Sequence, residues 1–69
     1  MRRQPVTSSN LASVGYDPAT QTLEIEFHHG GVYQYFDVPQ SIYDGLMGPG
    51  SKGQFFAANI KGVYRYARV

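Results

Sequence analysis

Two pairs of alternating tyrosines are the residues in this chain whose type and spacing could do chemistry. Tyr33 and Tyr35 lie in the stretch GGVYQYFDVPQ, and Tyr64 and Tyr66 lie in GVYRYARV. A tyrosine on a β-sheet can pair with a neighbouring strand, which stabilises the sheet by about 0.2–1 kcal/mol per pair. It can also stack on an unpaired nucleic-acid base, which contributes roughly 1–3 kcal/mol per base. The spacing leaves both interpretations open.

Four basic residues in the second half of the chain supply the charge that phosphate contacts require. They are Lys52, Lys61, Arg65 and Arg68. With the four tyrosines they make up a candidate nucleic-acid site, and four phosphate contacts predict a log–log salt slope of roughly −3. Glu24 and Glu26 argue against a site beside the first tyrosine pair, because carboxylates repel phosphates. The second helix and the last strand are therefore the better location.

The remaining polar residues give no catalytic or metal-binding arrangement. The chain has no cysteine, which excludes thiolate ligands and thiol nucleophiles. His28 and His29 are adjacent in a strand, so their imidazoles point to opposite faces and are not placed to chelate one metal ion. The stretch GPGSKG precedes a helix but lacks the spacing of a phosphate-binding loop; an anion resting there beside Lys52 stays an alternative. We predict no enzymatic activity, no cofactor and no metal.

Length and charge limit the chain to one small domain. A chain of 69 residues buries only about 60% of its unfolded surface. The net charge of +1 is too small to indicate a partner. We predict a flexible leader over residues 1–7 and a single domain over residues 8–69. Because no stretch resembles a signal peptide or a membrane span, we predict a soluble cytoplasmic protein.

Three segments alternate apolar and polar residues with the period of a β-strand. They are SNLASVGY, TLEIEFH and VYQYFDV. If the first hairpin turns at DPAT and the second closes around Gly30–Gly31, the strands agree on one apolar face. That predicted face consists of Ala12, Val14, Tyr16, Leu23, Ile25, Phe27, Phe36 and Val38.

The same register predicts the cross-strand neighbours. It pairs Val14 with Leu23 in the first hairpin. In the second hairpin it pairs Ile25 with Phe36. Tyr33 and Tyr35 then lie on the opposite face of the sheet, away from the helices. No such prediction follows for Tyr64 and Tyr66, which fit either face.

Two short helices and a last strand complete the predicted fold. Pro39 opens PQSIYDGLM, where Ile42 and Leu46 stand four residues apart. Ser51 followed by Gln54 is a capping-box pattern at the start of the second helix. Gly62 ends that helix before the strand VYRYARV. The predicted order is β-β-β-α-α-β: a three-stranded antiparallel meander, two short helices on one face and a C-terminal fourth strand, in an α+β domain.

The ordered motifs of the chain resemble the KTSC domain family. The segments SSNLASVGYD, LEIEFHHGGVYQYFDVP, SKGQFF and NIKGVYRYARV carry this resemblance from about Ser8 to Val69. It implies a small, free-standing bacterial protein related to the C-terminal domain of some lysyl-tRNA synthetases. The family's function is unestablished, and RNA binding has been suggested for it.

The resemblance also assigns residues to the family's motifs. Tyr33 and Tyr35 match the central motif, and further matches are Ser51, Gly53, Phe56, Ile60, Lys61, Tyr64 and Tyr66. The chain departs from the family in two places. Ala57 stands where an asparagine is expected, and Arg65 stands where proline is common. Both departures weaken a functional interpretation of the tail.

Two functional hypotheses follow. In the first, the protein is a non-catalytic module that binds RNA, tRNA or another single-stranded nucleic acid. The residues assigned to this site are Tyr33, Tyr35, Lys52, Lys61, Tyr64, Arg65, Tyr66 and Arg68. In the second, it is a protein-interaction module: a strand from a partner protein, or from a second copy of the same chain, pairs with an edge of its sheet.

Overall fold

A computed structural model describes residues 1–69 as one antiparallel sheet with two helices. The strands are β1 (Gln4–Pro5), β2 (Leu11–Asp17), β3 (Thr22–Phe27), β4 (Val32–Tyr35) and β5 (Tyr66–Arg68); the helices α1 (Gln40–Met47) and α2 (Lys52–Asn59) lie between β4 and β5 in sequence. The sheet order β1-β2-β3-β4-β5 follows the chain. The predicted α+β class is confirmed, and β1 is an additional strand.

Both helices cover one face of the sheet. The buried core contains Leu11, Val14, Leu23, Ile25, Tyr35, Val38, Leu46 and Ile60. From α1, Ile42 and Tyr43 pack against this core, and from α2, Phe55 and Phe56 do the same. Ser51 caps α2, since its hydroxyl oxygen accepts the N–H of Gln54 at 3.2 Å, as the capping pattern predicts.

The first hairpin keeps the predicted faces although its register differs. Val14 lies opposite Ile25 rather than Leu23, because the turn is longer and Asp17 pairs with Thr22. Because this slip of two residues is even, it leaves Val14 and Tyr16 on their predicted face. A bulge between Leu11 and Ser13 then turns Leu11 into the core, where it is fully buried. The prediction that Ala12 and not Leu11 faces the core was therefore wrong.

The second hairpin has a different register, and the predicted orientation of Tyr33 and Tyr35 was wrong. Gly30 N–H donates to the Phe27 carbonyl, and Phe27 N–H donates to that of Gly31, both at 3.1 Å. The loop is thus His28–Gly30, a three-residue hairpin with glycine at positive φ. Ile25 pairs with Tyr33, not with Phe36. Because this slip is odd, Tyr33 and Tyr35 lie on the helix-covered face.

The same change of register affects Phe36, which was predicted to lie in the core. The predicted apolar face included it, but Phe36 does not belong to the core cluster. Its ring lies beneath the guanidinium of Arg65, with Cζ 5.5 Å from the ring centroid. Val38, the next predicted core residue, is fully buried, because Asp37 at a φ of 59° interrupts the strand alternation between them.

Candidate functional site

An aromatic surface lies on the helix-covered face where β4 meets β5. Tyr35 is the cross-strand neighbour of Tyr66, and Tyr33 is the cross-strand neighbour of Arg68. Directly opposed residues of an antiparallel pair share one face of the sheet. We call these four residues, Tyr33, Tyr35, Tyr66 and Arg68, the β4–β5 patch.

The rings of the β4–β5 patch are in mutual contact. The Tyr66 ring centroid lies 5.7 Å from that of Tyr35 and 6.0 Å from that of Tyr33. Beneath them, Phe56 of α2 meets Tyr35 edge-on at 5.6 Å, and Phe27 meets Tyr33 edge-on at 5.8 Å. These are preferred aromatic geometries, so the patch is anchored to the core from below.

Exposure increases from β4 to β5 across the patch. Tyr35 is 6% exposed, whereas Tyr66 is 62% exposed. Tyr33 is half-buried. The Tyr35 ring is therefore a structural support, and Tyr66 presents the ring area that a ligand can reach.

The phenol hydroxyls of the patch are free of protein partners. Tyr16 is the tyrosine whose hydroxyl bonds to the protein, donating to the Val38 carbonyl at 2.5 Å. Burial, and then the neighbouring phenols of Tyr66 and Tyr33, raise the pKa of Tyr35 to about 12. Since no buried side-chain oxygen lacks a hydrogen-bond partner, the Tyr35 hydroxyl reaches the surface.

Arg68 places a positive charge at the edge of the patch. Its Cζ lies 5.9 Å from the centroid of the Tyr33 ring, within the range of a cation–π contact. Gly31 makes this possible: a Cβ there would lie 3.0 Å from Cε1 of Tyr33 and 3.3 Å from Nε of Arg68. The second glycine of the hairpin thus has a packing role beside the patch.

The other predicted site residues do not join this patch. Arg65 pairs with Asp37 at 2.9 Å, and both side chains are 75% exposed. Lys52 begins α2 and donates to the Gly48 carbonyl at 3.4 Å, whereas Lys61 lies exposed beyond the other end of that helix. Tyr64 is partly buried against the core. The eight predicted residues therefore form one cluster of four and four separate positions.

The opposite face of the sheet carries a closed polar network around Glu24. This carboxylate accepts from the Gln34 amide at 2.8 Å and from the Arg3 guanidinium. The Gln34 hydrogen bond, and after it Arg3, lower the pKa of Glu24 against the effect of burial. Ser13 accepts from Arg3 and donates to Glu26. Glu24 and Glu26 therefore do not share a face with Tyr33 and Tyr35, contrary to the predicted register.

Sequence reasoning missed several residues that shape the patch. Gly31 was assigned to a turn, Phe27 to the apolar face and Phe56 to a family motif, and none of them was predicted to pack against the tyrosines. The signal that points to them is the Gly-Gly pair, because a three-residue hairpin loop needs one glycine and leaves the other for close packing.

Three other features bear on function. No group of three or more histidine, aspartate or glutamate side chains is arranged to hold a metal ion. No helix is long and apolar enough to cross a membrane. Two shallow grooves border the N-terminal segment near Arg2 and Tyr16, and neither is lined by residues of the β4–β5 patch.

Known proteins with similar sequences fall into two groups. A family model described as the KTSC domain matches residues 7–69. An uncharacterized protein of Stutzerimonas stutzeri is 41% identical over 70 residues, covering 100% of this chain and 99% of the relative. A lysine–tRNA ligase of Nostoc sp. is 44% identical over 61 residues, covering 88% of this chain and 11% of the ligase.

A solved structure shares the fold over nearly its whole length. The crystal structure of a KTSC domain protein from Yersinia pestis superposes with a TM-score of 0.96 at 44% identity. The match covers 99% of this chain and 96% of that protein.

Proposed function

The chain belongs to the KTSC domain family, and on that premise we propose that it is a non-catalytic module that binds RNA or another single-stranded nucleic acid. The observation that carries the proposal is the exposed Tyr66 ring in the β4–β5 patch, which also contains the positive charge of Arg68. An exposed aromatic ring stacks on a base, and a nearby cation contacts the adjoining phosphate.

The chemistry of the C-terminal segment supports this proposal. Residues 61–69, KGVYRYARV, contain three basic residues and no acidic one. The segment thus joins Tyr66 and Arg68 to the exposed cations Lys61 and Arg65. With three phosphate contacts, affinity for a single strand falls with a log–log salt slope of roughly −2.

The similarity to part of a lysine–tRNA ligase gives a second line of support. The matching segment of the Nostoc protein lies in an enzyme named for tRNA. A module that binds RNA would contact the RNA after which that enzyme is named. We do not attribute the catalytic activity of the ligase to this chain, because the match covers only 11% of the ligase.

Within this proposal the residues take roles that differ from those predicted from the sequence. Tyr66 and the accessible part of Tyr33 take the stacking role, and Arg68 takes the phosphate role. Tyr35 holds Tyr66 in position through ring contact at 5.7 Å. Lys52 and Tyr64 are left out of the interface, because one lies at the start of α2 and the other packs against the core.

The proposal is tested with a labelled single-stranded RNA and fluorescence anisotropy. Tyr66→Ala is expected to weaken binding roughly 5- to 150-fold, the range that corresponds to about 1–3 kcal/mol of stacking. Tyr66→Phe keeps the ring and is expected to bind like the wild type. Arg68→Ala weakens binding and makes the salt slope shallower by roughly 0.7.

Arg2→Ala is the matched control for charge, because Arg2 is exposed and precedes the strand at the opposite edge of the sheet. It should leave the RNA affinity within about twofold of the wild type if charge acts locally. An unchanged anisotropy at high protein concentration for the wild type contradicts the proposal. So does equal weakening by Arg2→Ala and Arg68→Ala. A partner that adds a strand at a sheet edge would instead bind with little response to salt.

A further inference from the structure

Strand β5 leaves hydrogen-bonding groups unpaired at one edge of the sheet. Toward β4, the Phe36 N–H donates to the Arg65 carbonyl at 2.9 Å, and the Val69 N–H donates to the Val32 carbonyl at 2.8 Å. Backbone groups of an antiparallel strand alternate between its two sides. Ala67 therefore also bonds toward β4, and the N–H and C=O groups of Tyr66 and Arg68 point away from the sheet.

The two edges of the sheet differ in their protection. Strand β1 has only two residues, and one of them is Pro5, which has no N–H to offer. Proline on an edge strand is a usual way of preventing strand addition. Strand β5 has three residues, none of them proline, and all are exposed.

Exposed apolar side chains concentrate in and around β5. Four large hydrophobic residues of the chain are exposed, and three of them lie in residues 63–69: Val63 at 62%, Tyr66 at 62% and Val69 at 64%. Burying these side chains against a second chain would favour association at this edge.

The sequence of β5 is complementary to itself. In an antiparallel pairing with a two-fold axis at Ala67, Tyr66 of each copy lies opposite Arg68 of the other. These are the two residues whose backbone groups point outward, so each such pair exchanges two hydrogen bonds. Centring the axis on Arg68 instead would oppose two arginines, and centring it on Tyr66 would leave a single bonded pair.

We propose that β5 pairs antiparallel with β5 of a second copy of this chain, which joins the two five-stranded sheets into one continuous sheet. The interface is isologous, as in most two-fold dimers. On the helix-covered face each Tyr66 ring meets the Arg68 guanidinium of the other copy, a cation–π contact. This inference does not depend on RNA binding, although the pairing would bring the two β4–β5 patches side by side.

The association is expected to be weak. Four backbone hydrogen bonds and two Arg–Tyr contacts make a smaller interface than the roughly 1,200–2,000 Å² of a stable complex. We expect a dissociation constant of roughly 0.1–1 mM, so the dimer forms only at high protein concentration or when a common ligand holds two copies together.

Sedimentation equilibrium of nucleic-acid-free protein tests the proposal. Over about 20 μM to 2 mM, chosen to span the expected constant, the average mass of the wild type should rise from 7.7 kDa toward twice that value. Arg68→Pro removes the outward N–H and should stay monomeric. Arg68→Ala keeps that N–H and should still dimerise, with affinity reduced severalfold by loss of the cation–π contact.

Amide NMR shifts of the wild type give a second readout that does not depend on how Arg68→Pro folds. With rising concentration the N–H signals of Tyr66 and Arg68 should move, while that of Ala67, already bonded to β4, should not. A wild type that remains at 7.7 kDa throughout overturns the proposal. So does a folded Arg68→Pro that dimerises as tightly as the wild type. Dimerisation without shifts at Tyr66 and Arg68 also overturns it, because another surface would then be responsible.

Discussion

At the scale of single residues, Tyr35 shows how one side chain serves both the core and the candidate site. Its ring is 6% exposed and belongs to the core cluster. Its hydroxyl reaches the surface, and the nearby phenols of Tyr66 and Tyr33 add to the effect of burial on its pKa. Tyr35 thus belongs to the patch, but its ring is too buried for a ligand to stack on it.

The raised pKa of Tyr35 predicts a loss of stability at alkaline pH. The folded state holds the phenol proton up to a pKa of about 12, whereas the unfolded chain releases it near pH 10. The contribution is therefore complete below about pH 10 and is lost as pH rises toward 12, up to about 2–3 kcal/mol. Urea unfolding at pH 9, 10 and 11 measures it.

Tyr35→Phe is the control for this prediction. Its ring keeps the contacts with Phe56 and Tyr66, and it has no proton to release. Its stability should fall less steeply than that of the wild type above pH 10. The raised pKa of Tyr16 acts in both proteins and cancels in the comparison. Parallel pH profiles would contradict the assignment to Tyr35.

At the scale of elements, the contact between the two helices depends on a glycine. A Cβ at Gly45 of α1 would lie 2.5 Å from Cζ of Phe55 in α2, closer than atoms can approach. The ring of Phe55 therefore rests directly on the backbone of α1, and the helices cover the sheet in one arrangement.

Gly45→Ala is predicted to destabilise the protein although alanine favours a helix. Helix propensity contributes about 1 kcal/mol in favour of alanine, and overpacking against Phe55 costs about 1–3 kcal/mol. We expect a lower urea midpoint. Gly53→Ala in α2 is the matched control, since its Cβ would meet the movable Asn10 amide at 2.9 Å. A Gly45→Ala protein as stable as Gly53→Ala would contradict the packing argument.

The elements themselves could be predicted from the sequence, but one register could not. Alternation identified β2, β3 and β4, and the Pro39 and Ser51 signals identified both helix starts. The loop at His28–Gly30 could not be told from a two-residue turn at Gly30–Gly31, because both put glycine at positive φ. The two loops differ by three residues in the pairing of β3 with β4. The choice between them therefore determines which face of the sheet carries Tyr33 and Tyr35, and with it the position of the candidate site.

At the scale of the whole molecule, the Glu24 network connects the N-terminal segment to the centre of the sheet. Arg3 lies before β1, Glu24 lies in β3, and Gln34 lies in β4. The predicted flexible leader over residues 1–7 includes Arg3, whose guanidinium donates to Glu24 in this network. A buried carboxylate needs a charged or polar partner, and a sequence without coordinates does not identify which one.

Glu24→Gln is predicted to lower stability at neutral pH and to flatten the acid side of the stability profile. The lowered pKa of Glu24 means that its contribution is present above the unfolded pKa near 4.3. That contribution is lost as pH falls through the folded value. We expect a loss of about 1–3 kcal/mol at pH 7, as for hydrogen bonds to a charged group. Urea midpoints between pH 3 and 7 measure it.

Arg3→Ala provides the comparison for this network. It removes the guanidinium from Glu24 and Ser13 but keeps the Gln34 bond, so a smaller part of the acid dependence should disappear. If Glu24→Gln and the wild type lose stability in parallel below pH 5, the carboxylate does not stabilise the fold as described.

The sequence predicted which residue types make up the candidate site but not how they are arranged in space. The sequence indicated tyrosines and basic residues, and Tyr33, Tyr66 and Arg68 do meet on one face. It could not indicate that Lys52 lies at the start of helix α2, or that Arg65 pairs with Asp37.

The close spacing of the patch phenols has an optical consequence. The chain has six tyrosines and no tryptophan, so phenol transitions dominate its near-ultraviolet spectrum. Rings within 5.7–6.0 Å of each other couple their transition dipoles, and the sign of the resulting circular dichroism depends on their mutual tilt. A ligand that binds at Tyr66 and reorients its ring will change this circular dichroism signal. Ligand binding can therefore be measured without an attached dye.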